Sequence, residues 1–163
     1  MNIFRNSLSV GLLALLSLNS CKEEEKTAVN EEDETAVYIE QVREEFAPDK
    51  RVALFDVSSR KTDGTYVMSG ESNVPEAVEI LRQRLKEAEV KFVDSIQILP
   101  SKDLGGKTKA LVRTSVANIR SNQGHSSELA TQATLGTPLN VLKHEGDWYL
   151  VQTPDNYIAW VDH

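Results

Sequence analysis

Short β-rich runs alternate with turn residues through the last third of the chain, and this pattern limits the folds open to it. The runs cover residues 111–119, 132–135, 139–143, 148–152 and 157–161. The stretches between them are rich in Gly, Pro, Asn and Asp, the residues that β-turns favour. Five short strands favour a small closed barrel, because closure leaves few strand edges exposed. Residues 110–163 are therefore predicted to form an all-β domain.

Motifs in the same segment resemble those of bacterial SH3-like domains. They are Asn118-Ile119-Arg120-Ser121, Gly136-Thr137-Pro138, Gly146-Asp147-Trp148-Tyr149-Leu150-Val151 and Asn156-Tyr157-Ile158-Ala159-Trp160-Val161. Asn156 and Ala159 replace two glycines that are usual in the family, and asparagine tolerates the positive φ that such a turn needs. The resemblance implies an SH3-like barrel over residues 110–163 that binds peptidoglycan or lies beside its hydrolases.

Residues 35–100 mix helical and strand patterns, which favours an α+β domain with two helices on one face of a sheet. Asp63-Gly64 is a hairpin signal. Pro75 suits the first turn of a helix, with Ser72 or Asn73 as its cap. The predicted order is a helix at 37–46, strands at 51–57 and 65–70, a helix from Pro75, and a strand at 91–99.

This arrangement resembles the BON domain of bacterial envelope proteins. The resemblance rests on Asp63-Gly64, on Ser69-Gly70-Glu71, on the helix from Pro75 and on residues 90–93, with Glu89 near the place of a family glycine. It implies a domain that binds phospholipid or protein, whereas a generic α+β spacer is the alternative. Residues 101–109, which include Gly105-Gly106, are predicted to link the α+β domain to the SH3-like barrel.

An apolar run of signal-peptide length precedes the only cysteine of the chain. Residues 8–18 are too few to span a bilayer, which needs about 20 residues. Leu18-Asn19-Ser20-Cys21 resembles a bacterial lipobox. The resemblance implies that residues 1–21 are a lipoprotein signal peptide whose Cys21 receives a diacylglyceryl group, with acyl chains such as palmitate. Such lipid would hold the protein on a membrane, whereas an ordinary secretory leader is the alternative.

Acidic residues are concentrated directly after Cys21. The chain has 18 Lys and Arg against 25 Asp and Glu, a net charge of -7, which argues against a nucleic-acid partner. Residues 22–34 have almost no apolar content and are predicted to form a disordered tether. The stretch that begins at Cys21 also resembles the surface-export signal of Bacteroidota lipoproteins. The predicted location is the cell envelope, at the outer membrane, facing the periplasm or the surface.

Aromatic residues cluster in the last part of the barrel segment. The candidate ligand-binding residues are Trp148, Tyr149, Tyr157, Trp160 and Arg120. The aromatic rings could stack on a sugar or peptide, and Arg120 could hold a carboxylate. The alternative is that the rings fill or rim the barrel and that Arg120 pairs with a nearby acid. Because neighbours on a strand face opposite sides, Trp148 and Tyr149 cannot both be core.

The sequence predicts no catalytic residues, no metal site and no cofactor. His125, His144 and His163 are scattered without ligand spacing, and no serine-hydrolase or zinc-protease motif occurs. The predicted function is a lipid-anchored binding module for peptidoglycan or an envelope protein. One alternative is the targeting half of an NlpC-type cell-wall peptidase, if the reading frame continues beyond His163. Another is a structural spacer lipoprotein.

Overall fold

The N-terminal half of the folded region is built on a hairpin whose turn is dictated by two residues. In the computed structural model, which describes residues 33–163, Asp63 and Gly64 have φ values of 50° and 74°. Positive φ at both central residues gives a tight turn whose twist matches that of the strands. This turn joins β1 (Phe55–Thr62) to β2 (Thr65–Ser72) in antiparallel pairing, which confirms the predicted hairpin.

Two helices cover one face of the sheet that the hairpin begins. Helix α1 (Ala36–Phe46) precedes β1, and α2 (Pro75–Glu87) connects β2 to the parallel strand β3 (Phe92–Ile98). The sheet order is β1-β2-β3. The buried core between helices and sheet comprises Ile39, Val42, Ala47, Phe55, Val57, Tyr66, Met68, Ala77, Val78, Leu81 and Leu85. The expected α+β fold with both helices on one face is confirmed.

Two details of this half differ from the sequence pattern. Val37, the first residue of the predicted helix 37–46, is 60% exposed. The N-cap position of α2 is Val74, which makes no side-chain cap. The Asn73 side chain instead accepts a hydrogen bond from Leu54 N at 2.7 Å. Ser72 Oγ donates to Leu54 O at 2.7 Å and accepts from the N–H of Val74 at 3.0 Å, one residue before the helix.

The first described residue takes part in the start of α1. The Asp33 carboxylate accepts hydrogen bonds from Thr35 N at 3.0 Å and from the Ser59 hydroxyl on β1. Burial acts to raise the pKa of Asp33, but the hydrogen bonds from Ser59 and Thr35 outweigh burial and hold the pKa below its usual value. The described structure therefore includes Asp33 and Glu34, the last two residues of the predicted tether. The predicted signal peptide, Cys21 and residues 22–32 lie outside the described part of the chain.

The β-rich half contains six strands, one more than predicted. They are β4 (Lys109–Leu111), β5 (Val116–Arg120), β6 (Leu129–Thr134), β7 (Pro138–Glu145), β8 (Trp148–Gln152) and β9 (Ile158–Asp162). The predicted run 111–119 is divided between β4, which pairs with β7, and β5, which pairs with β6 and β9. The strand order is β4-β7-β8-β9-β5-β6.

This six-stranded sheet wraps around a small aliphatic core. One buried cluster gathers side chains from five strands and the segment after β4: Val112, Ile119, Ala133, Leu139, Val141, Val151, Ala159 and Val161. A single sheet face can enclose one such cluster only by curling into a barrel. The sequence predicted a closed barrel. Within the described residues, however, β4 pairs only with β7 and β6 only with β5, so the two edge strands are not paired with each other and the hydrogen-bonded ladder is not closed. The α+β half followed by a β-rich barrel is the fold class predicted.

The two halves are in contact, and the described residues form one compact unit. Leu99, just after β3, packs with Leu142 of β7 and Leu150 of β8 in a separate buried cluster, flanked by Leu54, Ile158 and Trp160. We call these six residues the junction cluster. The predicted linker is also bound to the barrel, since Ser101 N donates to Leu142 O at 2.7 Å and Val141 N donates to Thr108 O at 2.9 Å.

Candidate ligand-binding surface of the barrel

Strand β8 sends its two aromatic residues to opposite faces of the sheet. Tyr149 packs against the barrel core with Val151, whereas Leu150 belongs to the junction cluster on the outer face. Because side chains alternate along a strand, Trp148 lies on the outer face with Leu150. The expectation that Trp148 and Tyr149 cannot both be core is confirmed. Neither tryptophan is among the buried residues of the barrel core.

Tyr149 lies at the edge of the barrel core between two histidines. His144, its direct partner on β7, stacks on the phenol ring with 4.4 Å between centroids and 26° between planes. His163 follows β9, and its ring centroid is 6.0 Å from that of Tyr149. Tyr149 is half-buried while both histidines are exposed. The three rings therefore present an aromatic edge to solvent, which we call the Tyr149 edge.

Trp160 is occupied by contacts within the chain. Its ring is half-buried in the junction cluster, and the ammonium of Lys143 lies 5.1 Å from the ring centroid. At that distance a lysine is attracted by the negative face of the indole ring. The face of Trp160 that could stack on a ligand is thus already in use, although the ligand role of this residue stays a prediction.

Lys143 makes two ion pairs, and one of them connects the two halves of the molecule. Its Nζ lies 2.7 Å from Glu71 Oε1 on β2 and 2.8 Å from Glu145 Oε1 on its own strand. Burial acts to lower the pKa of Lys143, but hydrogen bonds to Glu145 and Glu71 outweigh burial and raise it. The hydrogen bond from Lys143 likewise lowers the pKa of Glu145. The exposed fraction of the side chain is only 14% for Lys143 and 21% for Glu71, so the ion pair between these two residues is shielded from solvent.

Tyr157 also faces the α+β half. The guanidinium of Arg51 lies 5.9 Å from the Tyr157 ring centroid, and the next residue, Ile158, donates its N–H to Arg51 O at 2.6 Å. Asp49 bonds to the Arg51 side chain at 2.7 Å. Tyr157 therefore contributes to the contact between halves, and its role in ligand binding stays a prediction.

Arg120 and Trp148 lie beside the β5–β6 loop. Arg120 donates to the carbonyl of Ser127 at 2.8 Å. The side-chain partner that the described residues show for Arg120 is thus a backbone carbonyl. Both the carboxylate-binding role and the pairing with an acid stay predictions. His125, in the same loop, places its ring 5.4 Å from that of Trp148. The loop is joined to β7 as well, since Gln123 Nε2 donates to Glu145 Oε2 at 2.9 Å.

The five predicted residues are thus distributed over three places. Tyr149 forms the aromatic edge, Tyr157 and Trp160 face the α+β half, and Trp148 and Arg120 each contact the β5–β6 loop. Arg120 is also the direct partner of Trp160 on the neighbouring strand. The sequence pattern did not indicate that histidines lie beside these aromatic residues, because the three histidines are far apart in the chain. A hairpin turn at Gly146-Asp147 puts His144 opposite Tyr149, so the register of β7 and β8 could have identified that pair.

Outside the barrel, a shallow groove of about 400 Å³ lies between the helices of the α+β half. It is lined by Glu34, Val37, Tyr38, Gln41, Ala88 and Val90, and none of the predicted ligand residues is among them. Residues 33–163 contain no group of three side chains placed to hold a metal ion. Within the same range, no helix combines the length and apolar character needed to cross a bilayer.

Comparison with known families identifies the barrel. Residues 115–163 match the family model of the bacterial SH3 domain. The matched segment contains β5 to β9 and all of the predicted ligand residues, whereas β4 precedes it. The resemblance of the β-rich half to a bacterial SH3-like domain is therefore supported. A search of curated proteins found no match to the chain.

Proposed function

We propose that this protein is a lipid-anchored module of the bacterial cell envelope that binds peptidoglycan or an envelope protein through its SH3-like barrel. Bacterial SH3 domains are often modules that bind the cell wall or peptidoglycan. The observation that carries the proposal is the Tyr149 edge within the matched segment. A flat ring with two exposed imidazoles suits the stacking of a sugar or a peptide group. The proposed role is binding and not catalysis.

A sacculus pull-down tests the binding part of this proposal. Residues 22–163 should sediment with purified peptidoglycan sacculi, and His144→Ala should weaken that binding about two- to tenfold, the size of a lost aromatic contact. His144 is exposed, so circular dichroism should show an intact fold. Lys86→Ala on α2 is the matched control, because Lys86 is exposed and lies outside the barrel.

The outcomes separate the alternatives. A wild-type protein that stays in the supernatant contradicts peptidoglycan binding and favours an envelope protein as partner, or a structural spacer. The spacer alternative draws support from the use of Trp160 and Tyr157 in contacts between the halves. Equal binding by wild type and the folded His144→Ala variant would place the ligand elsewhere than the Tyr149 edge.

The anchoring part of the proposal rests on Cys21, whose thiol is the only one in the chain. Cys21→Ser should abolish incorporation of labelled palmitate, because no other thiol can take the diacylglyceryl group. The variant should also leave the detergent phase in a phase-partition experiment, since two or more acyl chains are what makes anchoring stable. Retention of the label or of detergent partitioning by the variant would exclude Cys21 as the anchor.

A further inference from the structure

A row of three side chains crosses the outer face of the barrel beside the β5–β6 loop. Trp148 on β8 is the direct partner of Glu145 on β7 and of Asp162 on β9. Directly paired residues lie on the same face of a sheet, so the indole of Trp148 has a carboxylate on each side. An aromatic face and adjacent carboxylates both attract cations.

The two carboxylates differ in how they are used. Glu145 is bound by Lys143 and by Gln123. For Asp162 the side-chain contact within residues 33–163 is with His125, whose Nδ1 is 4.0 Å from Asp162 Oδ2. The Asp162 side chain is 51% exposed. It is therefore open to a cationic partner from solution.

The protein itself shows how such a place accommodates a lysine. On the same outer face, the Lys143 ammonium lies over the ring of Trp160 and between Glu71 and Glu145. In this place an indole ring and two carboxylates together bind the ammonium group of a lysine from the same chain. The neighbouring row repeats the same types of group, and the ring contact that residues 33–163 show for Trp148 is with the exposed imidazole of His125.

We propose that Trp148 and Asp162 bind a primary ammonium group from a ligand, which displaces the side chain of His125. The ligand class is an alkylammonium of the lysine type. A diamino acid of a peptidoglycan stem peptide and a lysine of an envelope protein both supply this group. The choice between these two sources rests on the proposed function, whereas the ammonium recognition rests on the geometry of the row alone.

The direct test is a titration of residues 22–163 with Nα-acetyl-lysine amide, followed through the indole N–H resonances. The chain has two tryptophans, so Trp160→Phe assigns the Trp148 signal. The Trp148 signal should shift on addition of the amine. Asp162→Asn should raise the dissociation constant about two- to fivefold, as expected for an exposed ion pair. His125→Ala should lower it about twofold, because the competing ring is gone.

The control ligand has the same shape without the charge. Nε-acetylation of the lysine derivative removes the ammonium group, so this compound should leave the Trp148 signal in place. Equal shifts with both compounds, or an unchanged affinity in a folded Asp162→Asn variant, would overturn the proposal. A dissociation constant that rises about two- to fivefold in Asp162→Asn and falls about twofold in His125→Ala would support it.

A second measurement separates this inference from the function proposed above. If Asp162→Asn also weakens sedimentation with sacculi, the peptidoglycan stem peptide supplies the ammonium group. If the variant sediments like wild type but binds the lysine derivative about two- to fivefold more weakly, the stem peptide is not the source, which favours a protein lysine. If the wild-type protein binds the lysine derivative but does not sediment with sacculi, peptidoglycan binding is refuted and the ammonium site is still supported.

Discussion

Gly70→Ala should lower the free energy of unfolding by more than about 3 kcal/mol, a large share of the roughly 5–15 kcal/mol by which small proteins are stable. Gly70 lies on β2, the central strand of the α+β sheet, with φ of 125°. A β-carbon at this position would lie 1.9 Å from the carbonyl oxygen of Asp56 on β1. Strands on both sides hold the backbone, so β2 cannot move away from the clash. Urea unfolding followed by circular dichroism measures the loss.

Gly64→Ala is the matched control for this experiment. Gly64 also has positive φ, at 74°, but a β-carbon there meets no atom within 4 Å. The substitution should therefore cost only the intrinsic strain of a left-handed residue, about 1–2 kcal/mol. Equal losses for the two alanine variants would show that the close approach of β1 to Gly70 does not determine the stability of the sheet.

Local patterns predicted the elements of the α+β half well but misplaced the start of β1. The run from Arg51 has the composition of a strand, yet β1 begins at Phe55. The carbonyls of Arg51 and Val52 instead accept hydrogen bonds from Ile158 N and the Gln152 side chain of the barrel. These partners are about a hundred residues away in sequence, so no local pattern could reveal them.

Backbone conformation could be read from the sequence where a residue type tolerates positive φ. Asn156 was expected to replace a family glycine in a turn, and its φ is 68°. Glu89 stands near the place where the predicted resemblance to a BON domain would put a glycine, and its φ is 57°. A glutamate offers no hint of such a conformation by itself, so only the comparison with a family pattern drew attention to this position.

The candidate site was predictable in its composition and not in its arrangement. Strand alternation separated Trp148 from Tyr149 correctly. The sequence could not show that the α+β half covers Trp160, because that contact depends on Leu54 and Leu99, which lie far from it in the chain. Nor could it show that His125 approaches Trp148, since the path of the β5–β6 loop decides that contact.

The second large effect is expected at the junction cluster, where Leu150→Ala should destabilise the protein by about 2–5 kcal/mol. Leu150 lies on the outer face of β8 and is only 5% exposed, because Leu99 and Leu142 pack on it. In a barrel without the α+β half the outer face of β8 would lack the cover of Leu99 and Leu54. The size of the loss therefore reports how strongly the two halves are joined.

Leu111→Ala provides the comparison, since Leu111 also lies on a barrel strand but is 65% exposed. Its truncation should change the free energy of unfolding by less than about 0.5 kcal/mol, the usual range for surface substitutions.

Unfolding should be followed by tryptophan fluorescence, which senses Trp160 in the junction cluster, and by far-ultraviolet circular dichroism, which senses all helices and strands. Coincident transitions in wild type are expected, because one cooperative unit unfolds as a whole. Separate transitions, together with similar small losses for Leu150→Ala and Leu111→Ala, would mean that the barrel folds independently and that the junction cluster adds little to its stability.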